Sequence, residues 1–75
     1  MNATQRIIDL LSTRGGISKN EAAIVMAEYL RVGALKVDGV TGGFSFPYGE
    51  AVEKKSIVGC LEAFELDLKN SNKEN

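Results

Sequence analysis

"ISKNEAAIVMAEYLRVG", Ile17–Gly33, reads as one complete helix with both of its ends written into the sequence. Ser18, followed three residues later by Glu21, makes a capping box, and Ile17 can staple onto Ala22, so side chains satisfy the first free amides. Gly33 supplies a left-handed stop. Between these signals Ala22, Ala23, Val25, Met26, Ala27, Tyr29, Leu30 and Val32 cover most of the circumference, leaving a narrow polar seam through Glu21, Glu28 and Arg31. A helix that is apolar on most sides belongs at the centre of a fold, so this one is expected to be the core. Ile24 falls on the polar seam, either as an incidental exposed side chain or as a candidate contact for another protein.

Upstream, "NATQRIIDLLSTRGG" predicts a first helix with Asn2 as N-cap, Gln5 behind it, and a glycine pair at its end. Ile7, Ile8, Leu10 and Leu11 form its apolar stripe, while Arg6, Asp9 and Arg14 face water. Downstream the period changes from helical to alternating. "ALKVD" sets Leu35 and Val37 on one face, and "FSF" does the same for Phe44 and Phe46, with the glycines of "GVTGG" as the turn of a β-hairpin. Pro47 cannot donate to a ladder, so the second strand must lie at an edge or stop there. A third helix is expected over about Glu53–Lys69, where Ile57, Cys60, Leu61, Phe64 and Leu68 recur at helical spacing. Residues 50–56 read equally as helix or loop, and the polar end, 70–75, reads as a loose tail beyond a single domain spanning 1–69. The fold class that follows is α+β, a compact helix–helix–β-hairpin–helix domain.

Length and composition narrow the function. A chain of 75 residues with one cysteine can form no internal disulfide and must be held by core packing or association. The longest apolar run, "AAIVMA", is far too short to span a membrane, so the expected site of action is the cytoplasm, without membrane contact. The net charge of −1 is close to neutral, which lacks the basic field of a strong nucleic-acid binder.

Motif tests exclude more than they find. Gly39–Phe44 lacks the lysine of a phosphate loop, and a calcium loop starting at Asp38 would put Val40 and Gly42 where oxygen ligands are required. With no histidine and Cys60 in an apolar stripe, the sequence offers neither a general base nor metal-ligand spacing. Catalytic residues, a metal, a cofactor and a small-molecule substrate are therefore not expected. Phe44 and Phe46 could stack bases, but a two-stranded sheet must bury one face, so the core is expected to claim them. Tyr48, between Pro47 and Gly49, is the aromatic residue expected at the surface.

"IIDLLSTRGGIS" with "YLRVGALKVDGVTGGFSF" resembles the first helix, then the last helix and hairpin wing, of winged-helix DNA-binding domains. That resemblance implies a nucleic-acid binder holding phosphates through Arg14, Lys19, Arg31 and Lys36. The segment from Ser18 to Gly33 departs from it, since it holds one helix where a helix-turn-helix needs two and a turn. The favoured expectation is instead a small non-catalytic module, a regulator or inhibitor of a larger protein assembly of the kind phages and mobile elements encode. Its partner would be another protein or a second copy forming a homodimer, with Ile24, Asp38, Tyr48 and Glu50 as candidate contacts.

Overall fold

The chain folds as α1 (Ala3–Gly15), α2 (Lys19–Val32), β1 (Lys36–Val37), β2 (Phe44–Ser45) and α3 (Lys54–Lys73). This computed structural model describes residues 2–49 and 52–73, the final two of these for backbone alone. The order is the α+β helix–helix–hairpin–helix arrangement that the sequence periods imply.

Each helix boundary has a local cause. The Asn2 side chain accepts the Gln5 amide at 2.9 Å, and Gly16 closes α1 in the left-handed region at φ 62°. The Ser12 hydroxyl then donates to the Ile17 carbonyl at 2.6 Å, which fixes the turn into α2. Ser18 and Glu21 form both halves of the capping box, at 3.1 and 3.0 Å. Gly33 ends α2 at φ 80°, its amide reaching back to the carbonyls of Leu30 and Tyr29. Gly15, still helical and buried, has a different duty from Gly16. A Cβ there would stand 2.6 Å from Ile57 Cγ2, so the absent side chain is what lets α3 pack against α1.

Ile7 and Leu11 of α1, Ala22, Val25 and Tyr29 of α2, Ala34 and Leu35 after it, and Ile57 and Leu61 of α3 make the buried core. Each fully buried aliphatic side chain of this size contributes about 1.5–3 kcal/mol over leaving it in water. Ile8, Ile17, Met26, Phe44, Phe46 and Cys60 are partly buried against that cluster.

Four expectations need correction. Leu30 and Val32 are 41% and 51% exposed, not core. The chain turns at Gly33, the Ala34 and Leu35 amides both bond to the Tyr29 carbonyl, and Leu35 is buried in the core. Ile24, expected on the exposed seam, is partly buried against the core. Glu28, one turn further along the same face, shares a hollow with Cys60 and Phe64, which places α3 on that side. Val37 does not share the burial of Leu35: it is 43% exposed against 2%. The ladder starts only at Lys36, with Lys36 opposite Ser45 and Val37 opposite Phe44, so Leu35 lies outside its alternation. Phe44 and Phe46 are half-buried, a lid on the core and not its interior.

α3 begins at Lys54, after a short turn at Val52, and runs on through Lys73 into the polar end. Its two halves differ in surroundings. Ile57 and Leu61 are buried, whereas from Glu62 to Ser71 every residue except Phe64 is exposed.

Candidate protein-docking surface

The hairpin loop is built on Asp38. Its carboxylate accepts the amides of Val40 at 2.8 Å and Thr41 at 3.4 Å, its amide donates to the Gly43 carbonyl at 2.8 Å, and its carbonyl accepts from Gly42 at 2.9 Å. Gly42 takes φ 74°, and the Thr41 hydroxyl accepts the Gly43 amide at 3.2 Å. The backbone amides of Val40 and Thr41, and then the Thr41 hydroxyl, hold the Asp38 carboxyl below its ordinary range. Asp38 therefore shapes the loop, with Oδ1 accepting both amides. Val40, at the tip, is 95% exposed.

A latch ties this loop to α1. Arg6 donates to the Gly42 carbonyl at 2.6 Å, and its guanidinium lies 5.8 Å from the centre of the Phe44 ring. Phe44 in turn meets Phe46 edge to face, with centroids 5.9 Å apart. Such ring and cation contacts add roughly 0.5–1.5 kcal/mol each beyond area burial. The hairpin is thus held against the body from its own face and from outside.

Beyond β2 the Gly49 amide donates to the Phe46 carbonyl at 2.9 Å, closing a turn whose second residue is Pro47. Proline presets the φ that this position needs, and Gly49 takes φ 55°. Tyr48 sits in that turn with 69% of its surface in water. Glu50 lies outside the described residues. At the hairpin itself, Lys36, Asp38, Thr41, Phe44 and neighbouring residues line a shallow hollow of about 340 Å³.

The basic residues implied by the winged-helix resemblance lie on α1, α2 and β1. Lys19 reaches Asp9 at 3.3 Å, and Arg31 pairs with Glu28 through its Nε and Nη2 groups. That pairing lowers the Glu28 carboxyl and raises the Arg31 guanidinium. Lys19 and Arg31 lie at opposite ends of α2, about 18 Å apart along its axis at 1.5 Å per residue. Arg14 is exposed in the last turn of α1, and Lys36 is exposed on β1. Between Ser18 and Gly33 there is the single helix α2.

Elsewhere the chemistry is sparse. Among the described residues no group of three His, Cys, Asp or Glu side chains could hold a metal ion, and no helix is long and apolar enough to cross a membrane. Cys60 is half-buried, and its thiol is pushed up by burial and then by the Glu28 charge. Tyr29 is 5% exposed, and its hydroxyl has no hydrogen-bond partner. Burial, and then proximity to Cys60, push that phenol up to about 12.

Neither Arg6 nor Val40 is among the candidate contacts that the sequence offers. Arg6 bonds a carbonyl 36 residues away, which no local pattern encodes. Val40 had a signal, an apolar residue inside a glycine-rich turn, where nothing can cover it. Compared with known proteins, the chain matches no family model, no curated protein and no solved structure.

Proposed function

We propose that the chain is a small protein-binding module with no catalytic duty of its own, regulating a larger protein through the exposed turn that carries Tyr48. The observation that carries this reading is Tyr48, an exposed aromatic ring on a turn made stiff by Pro47 and the Gly49–Phe46 hydrogen bond. A rigid aromatic side chain loses little freedom on binding, and tyrosine is among the residues that dominate interface energetics. Val40 adds a second exposed apolar group on a loop fastened by Asp38 and Arg6.

Protein is favoured over nucleic acid because two of the four basic residues are already paired: Lys19 with Asp9 and Arg31 with Glu28. The test immobilises the protein and captures partners from the source lysate with and without nuclease. Capture of one protein that survives nuclease and moderate salt, and falls at least tenfold with Tyr48→Ala, supports the reading. Capture that vanishes with nuclease, or weakens steeply with salt, supports phosphate-led binding in its place.

A further inference from the structure

Leu35 and Val37 stand two residues apart, yet the fold holds them differently. Leu35 is buried and its amide bonds back to the Tyr29 carbonyl, so the chain is anchored up to that point. Beyond it, residues 36–46 carry two strands of two residues each around the Asp38 loop, with Val37 and Val40 exposed. None of these residues joins the buried cluster that the three helices share with Ala34 and Leu35. Phe44 and Phe46, half-buried, pack against that cluster from its edge and against each other. Among the described residues the hairpin receives one hydrogen bond from the helices, Arg6 donating to the Gly42 carbonyl, and the same guanidinium lies against the Phe44 ring. A two-stranded hairpin is marginal by itself in water, so these few contacts, more than its own ladder, hold it in place.

We propose that residues 36–46 are a lid that opens as a unit while the three helices stay packed, and that Arg6 sets how often it opens. Opening breaks the Arg6–Gly42 hydrogen bond, lifts Phe44 from the guanidinium and turns Phe44 and Phe46 into water, while Leu35 stays anchored behind them. Segments with few buried contacts and exposed hydrogen bonds open at a lower free energy than the whole fold. Arg6 is a positioning residue, acting on the lid through the Gly42 carbonyl and the Phe44 ring. The lid ends before the turn that carries Tyr48, so its failure leaves the Tyr48 reading untouched.

Native-state hydrogen exchange of the whole chain, read by NMR where the rate reports the opening equilibrium, tests this at two amides. Asp38 donates to the Gly43 carbonyl inside the lid, and Val25 is fully buried within α2. In the wild type Asp38 should be less protected than Val25 and respond little to denaturant, whereas Val25 responds steeply. Ile57→Val weakens the α1–α3 packing, which stays intact when the lid opens, so it should speed Val25 about fivefold and leave Asp38 within about twofold. Arg6→Ala should speed Asp38 about tenfold, since the contacts it removes are absent from the open state. Arg6→Ala combined with Phe44→Leu should speed Asp38 by less than the product of the two single effects, because both remove the same guanidinium–ring contact. An Asp38 amide that follows Val25 in Ile57→Val, or that exchanges at the unfolded-chain rate in the wild type, would overturn the proposal. So would an Arg6→Ala variant within about twofold of the wild type, or a double variant as fast as the product.

Discussion

The chain carries two tyrosines, and the fold treats them in opposite ways. Tyr29, in the last turn of α2, is 5% exposed and buries its hydroxyl without a partner; Tyr48, in the turn after β2, keeps 69% of its surface in water. One ring is needed for its bulk, at the expense of an unsatisfied polar atom. The other packs against little of the domain. The difference shows where this small domain is committed to stability and where it has surface to offer, and the two sites can be pushed apart or together by substitution.

The largest effect should come from Tyr29→Ala. Removing a buried aromatic ring costs roughly 3–5 kcal/mol, most of the margin of a domain this size. Denaturant unfolding followed by circular dichroism should find the variant largely unfolded. A variant nearly as stable as the wild type would remove Tyr29 from the core.

Next comes Gly15→Ala, which probes the α1–α3 contact beneath the same core. The new methyl would meet Ile57 Cγ2 at 2.6 Å, so overpacking should cost about 1–3 kcal/mol despite the better helix propensity of alanine. Ile57→Ala removes the opposing methyl, so Gly15→Ala made in that background should cost measurably less than it does alone. If the two costs simply add, the close approach is not the cause.

A smaller effect, of opposite sign, is expected for Tyr29→Phe. An unsatisfied buried hydroxyl carries a desolvation cost of about 1–3 kcal/mol, so deleting it while keeping the ring should raise stability by about 1 kcal/mol. The same atom gives a pH signature. The Tyr29 phenol sits near 12 in the folded chain and near 10 in the unfolded one. Below pH 10 both states hold the proton; between 10 and 12 the unfolded chain releases a proton that the folded chain keeps, so stability falls as pH rises through that window. Tyr29→Phe should lose this part of the alkaline slope. A slope identical in the two proteins would mean that the hydroxyl is not held in a dry site.

The elements legible in the sequence were those whose causes are local. Asn2, Ser18 with Glu21, Gly16 and Gly33 each act within a few residues, and the ends of α1 and α2 fall where those residues place them. The hairpin between α2 and α3 was legible for the same reason, through its glycines and Pro47. Burial on α2 was not. Whether Ile24 or Leu30 is covered depends on which side α3 lies and on Leu35 turning inward after Gly33, and these are facts of long-range packing. The exposure of Tyr48 can be read from its Pro47 and Gly49 neighbours, whereas the Arg6 latch joins residues 36 apart and depends on the tertiary fold.

The smallest expected change in stability is the most informative one. Equilibrium unfolding of Tyr48→Ala, run beside Tyr29→Ala, tests directly whether the exposed ring is free for a partner. The expected result is a loss within about 0.5 kcal/mol, the usual range for a surface substitution. A loss approaching that of Tyr29→Ala would show that Tyr48 belongs to the core, and would contradict the division between the two tyrosines on which the proposed docking surface rests.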